Sequence, residues 1–267
     1  MVTLTAKVEG IGVIGPGLDG WTAAAAILRG QSPYIAQPTV LAVPEGLPPA
    51  ERRRLGRVVK LAVGVGLEAI SRAEVDAVTL PSVFASSGGD GHNCHEICQS
   101  LSLDEGMISP TRFHNSVHNA AAGYWSIATG SKAASNALCA YDASFAAGLL
   151  EAVTQVVVDR TRVLLVAYDA QYPEPLFEKR PIPEAFGVGF VLAPTQHAKG
   201  SGAQLTLSFS ESPADRMADR ALEEMRSSIP AARSLPLLHQ FALHRPGTVH
   251  VDYLDGRSLA VEVEPCA

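Results

Sequence analysis

Residues 6–15, AKVEGIGVIG, alternate and are rich in β-branched side chains, which predicts a strand. Pro16 and Gly17 turn the chain, and Gly20–Leu28 is an Ala-rich helix. A loop holding Pro33, Pro38, Pro44, Pro48 and Pro49 follows, around a short strand predicted at Thr39–Val43. The clearest helical pattern covers 49–73. Pro49 suits a first turn, and Leu55, Val58, Val59, Ala62, Val63, Val65, Leu67 and Ile70 recur at spacings of three and four. Ala77–Ala85 is apolar without polar alternation, the pattern of a buried strand. Short helices are predicted at Cys94–Leu101 and His118–Thr129, and a strand at Ala137–Tyr141. Asp142–Gln155 is a helix with a small-residue face of Ala143, Ala146, Ala147 and Gly148. Thr161–Tyr168 and Gly187–Ala193 are further buried strands. After Pro194 the pattern changes to a strand at Gln204–Ser210, a charged amphipathic helix at Ala214–Ser228, and a hairpin of Thr248–Asp252 and Ser258–Glu264. Asp255-Gly256 marks its turn. Alternating strands and helices, the strands apolar on both faces, predict an α/β layered domain with a mixed sheet.

Composition narrows the class. The chain has 267 residues, 47% of them hydrophobic and 18% charged, with a formal net charge of −6. That length supports one large domain or two small ones. No basic run is long enough for a nucleic-acid surface, and no apolar stretch reaches the roughly 20 residues of a membrane span. The first residues lack the layout of a secretory signal. A cytoplasmic protein with free thiols at Cys94, Cys98, Cys139 and Cys266 is expected.

Four places carry candidate chemistry. Gly15, Gly17 and Gly20 form G-x-G-x-x-G, but Pro16 removes an amide from the phosphate cradle and no acidic strand end follows; a structural turn is the better reading. His92, Cys94, His95 and Cys98 are soft ligands at close spacing, yet no second pair with matching spacing completes a zinc site. The alternative there is a Gly-rich loop entering a helix, with Cys98 buried. His114 and His118 lie one helical turn apart as in H-E-x-x-H, but Asn115 stands where the glutamate belongs. Cys139 ends a strand near a helix start, where a thiolate can be stabilised; it is either a nucleophile or a buried strand residue.

Three segments taken together resemble the β-ketoacyl synthases of the thiolase-like superfamily. They are the opening strand and turn at 11–17; the stretch SPTRFHNSVHNAAAG at 109–123, with Asn119 on the family asparagine; and AYDASFAAGLLEA at 140–152, which falls on the nucleophile segment. Residues 163–167 and 185–192 match the family's later strands more loosely. The combination looks most like a short subgroup encoded with aryl-polyene and related type II polyketide systems. Asp142 stands at the nucleophile position, Cys139 is three residues too early, and the family's two histidine motifs are absent; His244-Arg245-Pro246-Gly247-Thr248 is only a faint echo.

The resemblance implies a thiolase-like half-fold over 1–195, with a mixed five-stranded sheet layered with helices, and a small α+β extension over 196–267 packed on it. It also implies a function: a noncatalytic subunit resembling a chain-length factor. Such a subunit forms a heterodimer with a catalytic β-ketoacyl synthase, meets acyl carrier protein only indirectly, needs no cofactor or metal, and shapes the acyl tunnel. The strand before Asp142 is then expected at the dimer axis, and Phe113, His118, Asn119, Tyr124, Trp125, Phe145 and Leu149 at the tunnel or interface. The alternative is a cysteine-dependent acyltransferase or thioesterase using Cys139 with His114 or His118.

Overall fold

The computed structural model describes residues 4–103, 106–196 and 202–266. The first half runs through β1 (Leu4–Gly15), β2 (Leu18–Asp19), α1 (Gly20–Leu28), α2 (Pro49–Arg52), α3 (Arg57–Ala73), β3 (Ser82–Ala85), α4 (Gly91–Leu101), α5 (Pro110–His114), α6 (Ala120–Thr129) and β4 (Ser135–Leu138). The second half holds α7 (Ser144–Asp159), β5 (Val163–Asp169), α8 (Leu176–Lys179), β6 (Phe186–Ala193), β7 (Ala203–Ser210), α9 (Arg220–Ser228), α10 (Leu235–Leu243), β8 (Gly247–Asp252) and β9 (Ser258–Pro265).

All the strands join one mixed sheet in the order β4-β3-β5-β6-β1-β7-β9-β8, with β2 folded back on β1. Strands β4, β3 and β5 are parallel; every pairing from β5 onward to β8 is antiparallel. The mixed α/β class predicted from the sequence holds, with nine strands where five were expected. One of the four extra strands is the short β2; the others are β7, β9 and β8. They are not a separate layer but extend the sheet from the outer edge of β1, where Leu4–Val8 pairs with Ala203–Leu207. Residues 197–201, at the start of the predicted extension, lie outside the described residues.

The sheet is buried on both faces, which explains why its central strands lack polar alternation. Along β5, Val163, Leu165 and Ala167 enter one core with α1, α7 and α10; Leu164, Val166 and Tyr168 enter the other with α3 and α6. Helix α3 lies directly on β1: a Cβ at Gly12 would stand 2.2 Å from the carbonyl oxygen of Val65. Bulkier residues there would lift the helix off the sheet. The small face of α7 also turns inward, since a Cβ at Gly148 would fall 2.7 Å from that of Ala85.

Several local expectations change. The helix predicted over 49–73 is two helices parted at 53–56, where extended Gly56 restarts the chain into α3. Thr39–Val43 is not a strand; Thr39 instead donates through Oγ1 to the carbonyl of Ala185. Of Ala77–Ala85 only Ser82–Ala85 is a strand, after a 3₁₀ turn at Ala77–Thr79. The charged helix begins at Arg220, not Ala214, because Asp219 caps it by accepting from the amides of Ala221 and Leu222. Helix α10, LPLLHQFAL, has no counterpart in the sequence reading. The G-x-G-x-x-G segment is a tight hairpin between β1 and β2, with Gly17 at φ +66°.

Candidate functional site

Parallel strands β4, β3 and β5 point the same way, so their carboxyl ends share one edge of the sheet, the place where open α/β sheets carry sites. Ser86 and Ser87 follow β3, Cys139 follows β4, and Asp169 ends β5. Asp169 is fully buried and knits this edge together. Its Oδ1 accepts from the amide and hydroxyl of Ser87 at 2.9 and 2.6 Å and its Oδ2 from the amide of Ala231 at 2.9 Å. Burial pushes its pKa up to about 6, opposed by those hydrogen bonds and by the charge of Arg180. The sequence reading passed over Asp169; its signal was a carboxylate ending a wholly apolar run.

Asp142 sits above this edge, on an elbow between β4 and α7. The preceding Tyr141 is held at φ +52°, a costly region for a residue with a side chain. Ser144 braces the bend: its Oγ accepts from the amide of Ala140 at 3.0 Å and donates to the carbonyl of Tyr141 at 2.7 Å. The Arg180 guanidinium lies 3.8 Å over the Tyr141 ring. Arg180 Nη2 donates to Asp142 Oδ1 at 2.7 Å, and Arg233 Nη2 donates to Oδ2 at 3.0 Å. The chain of charges continues from Arg233 to Asp252 at 3.4 Å, from Asp252 to Arg226 at 2.6 Å, and from Arg226 to Glu223 at 2.7 Å. Asp142 is thus the first member of a ladder that ties the elbow to α9, β8 and the 3₁₀ turn at Pro230–Ser234. It does not cap α7, whose first turn has no side-chain cap. A cleft of about 740 Å³ opens over it, walled by Tyr141, Arg233, Asp252, Leu254 and Arg257.

A carboxylate held by two guanidiniums has its oxygens committed to charge-assisted hydrogen bonds and cannot carry a thioester. Cys139 stands three residues earlier, after β4. It is exposed, and its thiol donates to the carbonyl of Ser87 at 3.2 Å. His118 Nε2 lies 3.2 Å from the neighbouring carbonyl of Ser86. Thiol and imidazole therefore meet adjacent carbonyls, and among the described residues no hydrogen bond joins Cys139 to a histidine. His114 and His118 are not one turn apart on a helix: α5 ends at His114 and α6 starts at Ala120.

The remaining predicted site residues divide by burial. Phe113 is 67% exposed and Asn119 is exposed. Tyr124, Trp125, Phe145 and Leu149 are instead closed in the two cores. Tyr124 donates to Asn115 Oδ1 at 3.1 Å. Phe145 is edge-on to Phe190, with centroids 6.1 Å apart, and Phe190 is edge-on to Phe241 at 5.7 Å. That aromatic ladder fastens the elbow helix through β6 to α10, so these four residues pack the fold and line no surface of the free chain. Among the described residues no group of three or more His, Cys, Asp or Glu side chains gathers as a metal site, and Cys94 and Cys98 are both exposed, correcting the burial expected for Cys98. No helix among the described residues is long and apolar enough to cross a membrane.

Comparison with known proteins gives the context. Among curated proteins no sequence matches the chain. A ketosynthase in complex with its chain length factor, from Xenorhabdus doucetiae, is similar in structure with a TM-score of 0.72 at 24% identity, over 97% of this chain and 99% of that one. The ishigamide ketosynthase/chain length factor gives 0.76 at 13% identity, over 98% and 100%. A type II polyketide synthase acyl-carrier protein in complex with its hexaketide-bound ketosynthase gives 0.74 at 12% identity, over 98% and 99%. These likenesses establish the thiolase-like ketosynthase fold. The model of the family described as "Beta-ketoacyl synthase, N-terminal domain" matches residues 23–251. On that match, the chain belongs to the β-ketoacyl synthase family through its amino-terminal domain.

Proposed function

We propose that the chain is a noncatalytic, chain-length-factor-like subunit that pairs with an active β-ketoacyl synthase and shapes its acyl tunnel in cytoplasmic polyketide or fatty-acid-type biosynthesis, of the aryl-polyene kind. The observation that carries the reading is Asp142, salt-bridged to Arg180 and Arg233; from its motif we assign it to the nucleophile position. Condensation needs a thiolate there to accept the acyl chain. In this chain the elbow holds a strained Tyr141, and the carboxylate at its tip is engaged in ion pairs.

A second feature supports pairing. Strand β4 is one edge of the sheet, its residues Ser135, Asn136 and Ala137 exposed. An uncovered edge of this kind is a template for a further strand. Large apolar side chains that stay exposed concentrate in the same part of the chain: Leu101, Leu103, Met107, Phe113, Val117 and Ile127. Helix α6, which carries Ile127, packs against β3 and β4. Exposed apolar side chains grouped along the chain in this way support a contact with a partner. The solved ketosynthase and chain-length-factor complexes similar to this chain lend the reading its partner class. Within it, Phe113, His118 and Asn119 are the residues we assign to the interface and tunnel mouth. Co-expression with the cognate ketosynthase tests the assignment: the two chains co-purify, and Phe113→Ala weakens the complex or changes product length.

A further inference from the structure

The cleft over Asp142 holds two tyrosines and three charged side chains that the salt-bridge ladder does not use. Its walls are the elbow on one side and, on the other, residues 211–214 with the turn of the β8–β9 hairpin. Tyr141 is 63% exposed at the elbow wall, and the Arg180 guanidinium covers one face of its ring at 3.8 Å. Tyr253 stands at the hairpin wall, its ring stacked on Phe209 with centroids 5.7 Å apart and planes inclined by 26°. Each ring is thus held on one face by another group while it lines the cleft. A ring fixed in this way is a ready surface for a further flat ring, because little side-chain freedom is left to lose. The ladder is neutral by itself, with Asp142, Asp252 and Glu223 against Arg180, Arg233 and Arg226. That leaves Glu211 and Asp255 of one sign and Arg257 of the other at the cleft. All three are exposed, and among the described residues none of their side chains has an ion-pair or hydrogen-bond partner. A ligand with only an anion meets two carboxylates there, and one with only a cation leaves the guanidinium unmet. A zwitterion answers both signs.

We infer that this cleft binds a free aromatic amino acid, its ring against Tyr141 and Tyr253, its ammonium at Glu211 and Asp255, and its carboxylate on Arg257. The planar fork of Arg257 matches a carboxylate geometrically. The cleft volume, about 740 Å³, falls in the range of small-molecule sites and admits the amino acid with the waters that complete its hydrogen bonds. A ligand seated there touches the elbow and the hairpin at once, and so bridges the same two walls that the ladder joins. The inference does not depend on pairing with a ketosynthase.

The test is calorimetric titration of L-phenylalanine into the full-length chain at about 0.1 M salt, where long-range screening is fixed. L-Leucine, phenethylamine and 3-phenylpropionate are titrated alongside; they lack the ring, the carboxylate and the ammonium in turn. Three variants accompany the parent. Arg257→Gln changes an exposed, unpaired side chain and leaves the fold intact. Tyr253→Leu removes one of the two rings, with its urea midpoint measured in parallel. Arg220→Gln, at an exposed site on α9, is the control. We expect saturable one-to-one binding of phenylalanine, about tenfold weaker in Arg257→Gln and in Tyr253→Leu, unchanged in Arg220→Gln, and about tenfold or more weaker for each analogue. No saturable binding up to about 20 mM, any analogue binding as tightly as phenylalanine, or equal affinity in all four proteins overturns the assignment.

Discussion

Replacing Asp142 with alanine removes the carboxylate that joins Arg180 to Arg233. At an effective dielectric of about 20, each close pair has a gross attraction of about 4 kcal/mol. The net effect is much smaller. Asp142 is 36% exposed, so water screens both contacts, and the arginines keep other partners: Arg180 the Tyr141 ring, Arg233 the carboxylate of Asp252. Against that, the arginine side chains are only 16% and 19% exposed, which limits their rehydration. Fully buried pairs cost about 3–5 kcal/mol to break and exposed ones about 0–1, so a loss of about 2 kcal/mol is expected. Urea denaturation of Asp142→Ala, Arg180→Ala and the double variant measures it. The midpoint should fall without a change in slope, and the cycle should give a coupling of about 1 kcal/mol that shrinks in about 1 M salt. A coupling near zero, with Asp142→Ala as stable as the parent, would refute the idea that the nucleophile position has become a structural joint.

Three further outcomes follow from the same structure. Asp142→Cys should form no thioester with acyl carrier protein substrates by intact-mass measurement, because among the described residues no histidine is hydrogen-bonded into the elbow; acylation at position 142 would contradict the noncatalytic reading. The carboxyl of Asp169 keeps its proton in the fold up to about pH 6 but loses it near pH 4 when unfolded. Its contribution is therefore complete below about pH 4 and is lost as pH rises to about 6, by up to roughly 3 kcal/mol; Asp169→Asn should flatten that part of the stability curve, and an unchanged slope counts against the burial argument. Phe145→Ala should cost about 3–5 kcal/mol in denaturant by opening the Phe145–Phe190–Phe241 ladder, whereas Phe113→Ala should leave stability within about 0.5 kcal/mol and act only on partner binding.

Much of the fold was legible because both faces of the sheet are covered. Runs such as LLVAY in β5 have no polar side to confuse with a surface strand, and Asp255-Gly256 announced the β8–β9 hairpin, whose turn is closed by the Arg257 amide donating to Leu254. Helix α10 escaped notice because LPLLHQFAL is apolar around most of its circumference, as suits an element packed against both the sheet and α1, and so has no amphipathic period. The break at Gly56 was hidden by a helical period that continues through it. Thr39–Val43 has strand composition but no strand to pair with. At the site, the local motif singled out Asp142. Its role could not be read there, since Arg180 and Arg233 come from 38 and 91 residues further along the chain, brought in by the loop after β5 and by the turn before α10. Tyr124, Trp125, Phe145 and Leu149 showed their size in the sequence but not their direction; only packing reveals that they face the cores.

The proposed role requires that this chain pair with a ketosynthase. The decisive measurement is light scattering on size-exclusion chromatography of the chain alone and co-expressed with its cognate β-ketoacyl synthase. Alone, with the β4 edge and the apolar side chains of 101–127 uncovered, it should self-associate or stay poorly soluble; co-expressed, both chains should elute together as one stable species. A well-behaved monomer that ignores the ketosynthase would contradict the account.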